Sequence, residues 1–304
     1  MASPRLEIGW GRIMILFFIY ICVAVFFEII NMQLVYQMSS ETNLRFWEYY
    51  TEATKNPENH YIYILSQSFQ IIGLLIISLI FYKWIDRPSI LKLVRELYWK
   101  YSSFIYGCVL GILLISFLSL IIWVFYPSSF SYQGLSIIPI MVNLGLFILV
   151  AINEEVFARG MILGNLSQSY GKPVSLVVSS ILFAIMHFSN NGLSFIGLSN
   201  LMLAGLLLGI VYFRTNNLWT AIGLHFTWNL FQGPVYGFEV SGEEVFSIFT
   251  LNFEQENIIN GGSFGLEGSI ITTILMVLVC GYYLWVDRKL YFSTGISLAE
   301  RNLS

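Results

Sequence analysis

The fold class follows from residues 137–169, which read IIPIMVNLGLFILVAINEEVFARGMILGNLSQS. A helix needs about 20 consecutive apolar residues to cross the hydrocarbon core of a bilayer, and this run is longer than that. Its charged residues are confined to one short stretch, which holds Glu154, Glu155 and Arg159. The pattern predicts a membrane-spanning helix that tilts or projects from the bilayer and carries a polar cluster at membrane depth.

Seven further apolar runs lie on either side of this one. Charged residues interrupt them, and they cover residues 13–36, 61–82, 102–126, 173–190, 197–213, 217–234 and 268–286. The chain is 57% hydrophobic and 11% charged, against roughly 25% charged residues in soluble domains. The sequence therefore predicts an all-α integral membrane protein, in which residues 1–304 form one domain of about eight transmembrane helices.

The charges exclude one class of function and predict an orientation. With 15 basic and 18 acidic residues the net charge is -3, which excludes a nucleic-acid-binding protein. Lys and Arg favour cytoplasmic loops, and an N-terminus on the inside leaves only Arg45 and Lys55 outside. We therefore expect both termini in the cytoplasm and a multi-pass protein of a bacterial plasma membrane. The acidic residues then collect in two outer loops, the second of which includes Glu239 and Glu267.

Ionisable side chains at membrane depth are costly, so each one is a candidate functional residue. Glu155 and Arg159 are four residues apart and share a helix face, so they can form a structural ion pair. Glu154 points about a quarter turn away and is left without a local cation. A purely structural polar cluster is the alternative interpretation.

Two later runs add polar groups at the same depth. Glu154 and His187 are equally far from the turn at 170–173, so an antiparallel helix pair brings them level. His225 and Asn229 are four residues apart and lie on one stripe of the run 217–234. Phe183 precedes His187 by one turn, and we interpret it as a packing wall.

These side chains supply the groups that peptide hydrolysis needs. The reaction requires a base that takes a proton from water, an acid for the leaving amine, and donors for the developing oxyanion. We expect Glu154 and His187 to activate the water and shuttle its proton. His225 and Asn229 would donate hydrogen bonds to the tetrahedral intermediate, while Glu155 and Arg159 hold their helix in place.

Three motifs in these runs resemble those of the CPBP intramembrane protease family. Residues 154–159 read EEVFAR, 183–187 read FAIMH and 225–229 read HFTWN, which fit EExxxR, FxxxH and HxxxN. The family contains type II CAAX prenyl endopeptidases and bacteriocin-processing or self-immunity proteins. The resemblance implies a protease in which Glu154, His187, His225 and Asn229 have the same roles. We place the catalytic core at 137–234 and expect no cofactor. The resemblance also implies a peptide or protein substrate, which can be lipid-modified or membrane-associated.

Other interpretations stay open at this point. Glu154, His187 and His225 are a conceivable zinc set, although the chain has no HExxH motif. A non-catalytic immunity or scaffold protein could bind a peptide in the same place, and a proton-coupled transporter also uses Glu and His at depth. Residues 261–265 fit GxSxG, but no histidine follows His225 to complete a serine triad. Substrate identity and oligomeric state do not follow from the sequence.

Overall fold

The computed structural model describes residues 9–37, 68, 71–76, 79–80, 83, 98–126 and 128–292. Most of the predicted span 61–82 therefore lies outside the described residues. The described part is mostly helical and includes helical residues at 71–76. The α-helices whose bounds are described are α1 Gly9–Gln37, α2 Tyr101–Phe125, α3 Ile137–Glu155, α4 Gly164–Tyr170, α5 Lys172–Ile185, α6 Phe195–Thr215, α7 Leu218–Leu230, α8 Ile270–Val286 and α9 Arg288–Phe292. A π-helical segment, Val156–Leu163, joins α3 to α4, and a second one, Phe231–Val235, follows α7.

Five helical segments in the described part are long and apolar enough to cross a bilayer. They are Trp10–Ile30, Tyr101–Phe125, Ile137–Ser167, Phe195–Thr215 and Gly262–Val286. The chain is therefore an integral membrane protein. The predicted spans 173–190 and 217–234 contain the shorter helices α5, of 14 residues, and α7, of 13 residues. Pro234 interrupts the backbone pattern after α7, because proline has no N–H to donate.

A small sheet departs from the expectation of an exclusively helical chain. Strands β1 Ser128–Tyr132 and β2 Phe249–Phe253 pair antiparallel, with Phe130 opposite Leu251. Aromatic rings pack across the pair, since the Phe130 and Phe249 ring centroids lie 4.8 Å apart. Such cross-strand aromatic pairs stabilise short strands. Both segments lie between the helical runs, so hydropathy alone did not predict them.

Helices α2 and α7 approach each other closely along a row of glycines. A Cβ on Gly107 would lie 2.1 Å from the Thr220 backbone oxygen, and one on Gly223 would lie 2.4 Å from the Phe104 oxygen. Gly111, four residues after Gly107, meets the Leu224 oxygen in the same way, at 2.6 Å. Small residues at this spacing let membrane helices pack backbone against backbone. The row therefore determines how α7, which carries His225 and Asn229, sits in the bundle.

We expect Gly107→Ala to destabilise the protein by about 1–3 kcal/mol, because the added methyl group has no space against α7. Thermal or denaturant unfolding of the detergent-solubilised protein measures the change. Gly145→Ala is the matched control, because nothing lies within 4 Å of a Cβ at that position. Equal stability of the two variants would contradict the close packing of α2 and α7.

The segment 236–269, which we call the cap, covers one end of the bundle and contains β2. It forms an open pocket whose lining includes Glu239, Glu244 and Glu256. Burial raises the pKa of Glu239 above its ordinary value, and the carboxylates of Glu256 and Glu244 raise it further. The ionised form of Glu239 is therefore unfavourable in the folded state.

Because the pKa of Glu239 is raised, we expect Glu239→Gln to increase the stability of the folded protein at high pH but not at low pH. A carboxyl group with a raised pKa in the folded state contributes stability below its unfolded pKa and loses it as the pH rises through the folded value. The Gln variant should therefore melt at a higher temperature than the parent at pH 8. The difference should vanish near pH 4, where Glu239 is protonated in the parent. A gain of equal size at both pH values would contradict this explanation.

Candidate active site

The polar cluster lies where α3 ends and the first π-helical segment begins. Glu155 ends α3, and all eight residues of Val156–Leu163 are buried. Single π turns within α-helices change the direction of the side chains that follow and occur often at functional sites. Helix α1 supports this region, because the Tyr20 ring stacks on Phe157 at 3.8 Å and its hydroxyl accepts a hydrogen bond from Asn153 Nδ2 at 3.0 Å.

Arg159 and Glu155 form an ion pair inside the bundle. Arg159 Nη1 donates to Glu155 Oε1 at 2.9 Å, and both side chains are fully buried. Arg159 Nη2 donates to the Gly205 backbone oxygen at 3.1 Å, which ties the cluster to α6. The guanidinium carbon also lies 4.4 Å from the centre of the Phe183 ring. This pair is the one that the four-residue spacing predicts.

The same glutamate oxygen also binds His225. His225 Nδ1 lies 2.9 Å from Glu155 Oε1, and the His225 side chain is buried. An ionised carboxylate can only accept, so the Nδ1 atom carries the proton in this bond. Glu155 therefore connects Arg159 to His225. Sequence reasoning missed this contact, because the rotation of α7 about its axis is not encoded in residue spacing.

His187 and Glu154 lie next to each other. His187 Nε2 is 3.7 Å from Glu154 Oε2, slightly beyond a direct hydrogen bond. His187 Nδ1 lies 2.8 Å from the Phe183 backbone oxygen. A carbonyl oxygen only accepts, so Nδ1 is protonated and the neutral ring keeps its lone pair on Nε2. The lone pair therefore belongs to the nitrogen that lies near Glu154.

A cavity lies beside these groups. Its polar wall includes His187, His225 and Asn229, and apolar residues from α6 and α8, Leu207, Leu208 and Met276 among them, form much of the remainder. Glu154 is not part of the lining and meets the cavity through His187. Phe183 packs between the two imidazoles, with ring centroids 4.9 Å from His187 and 6.2 Å from His225. The structure thus brings the four predicted catalytic side chains to one region.

Sequence reasoning also missed Glu267, which it placed in an outer loop with the other acidic residues of the cap. The side chain is instead buried at 9% exposure and lines the same cavity as the two histidines. Its position next to the run 268–286 was the available signal, but a hydropathy boundary does not show which way a side chain points. Sequence reasoning also missed the contacts of Tyr20. Its hydroxyl was the only feature that distinguished this residue within an apolar run.

A catalytic zinc site would need three protein ligands that converge on one ion. In the part of the chain that the structure describes, no three His, Cys, Asp or Glu side chains are placed to hold a metal ion. The Nδ1 atoms of both rings are already hydrogen-bonded, to Phe183 O and to Glu155 Oε1. These two bonds leave Nε2 as the ring nitrogen that a substrate or a metal ion could use.

Comparison with known proteins identifies this region. Residues 136–231 match the family model described as type II CAAX prenyl endopeptidase Rce1-like. The chain carries an Rce1-like domain. No curated protein matches the chain. The Rce1-like domain includes Glu154, His187, His225 and Asn229, whereas helix α2, Ser241 and Glu267 lie outside it. The matched part of the chain is therefore similar to CAAX-type proteases, whose substrates are peptides.

Proposed function

We propose that the protein is an intramembrane endopeptidase that hydrolyses a peptide bond with water activated by Glu154 and His187. The observation that supports this most directly is the 3.7 Å approach of His187 Nε2 to Glu154 Oε2, together with the Nδ1 bond that leaves the Nε2 lone pair available. A separation of this size suits two groups that share a water molecule rather than a direct hydrogen bond.

The base side of the reaction uses this pair. A water molecule between Glu154 and His187 donates to both, and its oxygen attacks the carbonyl carbon of the substrate in the cavity. The released proton resides on the Glu154 and His187 pair and is then passed to the leaving amine. General acid and base steps of this kind contribute about 10²–10⁴-fold to a rate.

The oxyanion side uses His225 and Asn229. The amide of Asn229 donates directly, and His225 donates from Nε2 when its ring carries two protons. Glu155 favours that state because it accepts the Nδ1 proton at 2.9 Å, and Arg159 in turn keeps Glu155 ionised at 2.9 Å. Donors placed in advance against a developing negative charge are often the largest contribution to catalysis.

The remaining features of the proposal concern the membrane and the substrate. We propose one polytopic domain across residues 1–304, about eight spans and cytoplasmic termini, in a bacterial plasma membrane. The catalytic core is 137–234. The apolar wall of the cavity suits a peptide with apolar side chains or an attached lipid. The reaction as proposed needs no cofactor, and the metal content of an active preparation distinguishes it from a zinc-dependent version.

A terminus-resolved proteomic comparison tests the function without a known substrate. Cells carrying the native protein should contain peptide ends that are absent from cells carrying Glu154→Gln at equal abundance. Identical sets of termini, together with an unchanged cellular phenotype, would instead favour a peptide-binding immunity or scaffold protein.

A further inference from the structure

A third carboxylate faces the catalytic cavity from outside the Rce1-like domain. Glu267 lies in the 3-10 segment Gly262–Gly268, just before α8. It lines the cavity together with His187 and His225. The mechanism described above does not use this side chain.

The cap and helix α6 hold Glu267 in place, one through its side chain and the other through its backbone. Ser241 Oγ donates to Glu267 Oε2 at 2.6 Å, and Asn200 Nδ2 donates to the Glu267 backbone oxygen at 2.8 Å. Ser241 adopts a φ of 51°, in the left-handed region that non-glycine residues rarely occupy. Its backbone oxygen accepts a hydrogen bond from Asn190 Nδ2 at 3.1 Å. Ser241, whose hydroxyl orients Glu267, is therefore hydrogen-bonded through its backbone to the turn that follows His187.

Among the titratable groups that line the cavity with Glu267 are the two histidines, His187 and His225. Arg159 is paired with Glu155 Oε1, and the same oxygen binds His225 Nδ1. The turn after α5 supplies His187 with Glu154 behind it, and α7 supplies His225. Helix α6 and the cap supply the neutral groups Asn200 and Ser241. A carboxylate in a poorly solvated cavity stabilises nearby cations more strongly than it would in water.

We propose that Glu267 is a positioning residue that stabilises the protonated imidazole of His225 across the cavity. For its consequence in catalysis this inference rests on the proposed function. His225 can donate from Nε2 to an oxyanion only while Nδ1 also holds its proton, so the charge of Glu267 extends the pH range over which the oxyanion site is complete.

Histidine titration tests the electrostatic part without any substrate. The chain has three histidines, and His60→Gln leaves His187 and His225 as the only two. In that background, NMR of ¹³C-labelled imidazoles in detergent micelles reports both titrations. We expect Glu267→Gln to move the His225 midpoint to lower pH by about one unit, and Glu244→Gln in the cap to leave it unchanged. A His225 midpoint that is the same in Glu267→Gln and its parent would overturn the inference.

Kinetics test the catalytic consequence. On a peptide that the native protein cleaves, Glu267→Gln should lose about tenfold in kcat/KM at pH 8 and little at pH 6, since one pH unit changes the protonated fraction about tenfold. Glu267→Asp should restore much of the loss, and Ser241→Ala should give a smaller loss with the same pH dependence. A loss of equal size at both pH values would show a merely structural role and overturn the inference. If the native protein cleaves nothing, the proposed function fails, and the titration still decides the role of Glu267.

Discussion

Glu154→Gln should lower kcat/KM for peptide cleavage by about a thousandfold. The substitution removes the carboxylate that takes the water proton, and a positioned general base contributes about 10²–10⁴-fold. Gln keeps the size of the side chain and can still hold a water molecule, but it cannot accept a proton. Cleavage of a peptide identified from the proteomic comparison, followed in detergent or proteoliposomes, measures the effect.

The variant should fold like the parent, so the loss can be assigned to chemistry. The side chain of Glu154 is 17% exposed, and within the described part of the chain its buried Oε2 atom has no hydrogen-bond partner. Replacing that oxygen therefore breaks no direct hydrogen bond. Glu244→Gln serves as the control, because it removes an exposed carboxylate from the cap. Undiminished cleavage by Glu154→Gln would show that another group activates the water.

Glu155→Leu should have the largest effect on stability, with a loss of about 3–5 kcal/mol in the free energy of unfolding. The change leaves the guanidinium of Arg159 buried without its counterion, and that side chain is fully inaccessible to solvent. It also removes the acceptor of the His225 Nδ1 proton, so activity should fall with stability. Unfolding by denaturant in micelles gives the free energy.

The double variant Glu155→Leu/Arg159→Met separates the buried charge from the packing. Replacing both members of a buried pair by apolar side chains is often close to neutral. The double variant should therefore recover most of the lost stability but little of the activity, because His225 still lacks its acceptor. A double variant less stable than Glu155→Leu alone would contradict the view that the unpaired guanidinium causes the loss.

Hydropathy predicted the main architecture because a bilayer imposes a minimum length on each spanning helix. Residues 137–167 form one continuous candidate span, in the place where the sequence predicted the run 137–169. The same reasoning overestimated the length of the helices at 173–190 and 217–234, since an apolar composition does not show where turns and π segments end a helix. The β1 and β2 pairing was missed because it joins segments that are far apart in sequence.

The sequence predicted those parts of the candidate site that depend on spacing along one helix or one helical hairpin. It did not predict the parts that depend on how separate helices are rotated about their axes. A four-residue spacing on one helix brings Glu155 to Arg159, and the distance from a shared turn brings Glu154 level with His187. The bond from His225 to Glu155 and the inward position of Glu267 depend on how separate segments are rotated. The resemblance of the three motifs is confirmed by the family match over 136–231.

The glycine contact between α2 and α7 has a consequence for biosynthesis. Residues Gly107 and Thr220 meet in the folded protein, yet a ribosome makes them more than a hundred codons apart. A nascent chain that has inserted only as far as α6 holds Glu154 and His187 but neither His225 nor Glu267. The side chains of the proposed site can therefore come together only after α7 has been made and has packed against α2.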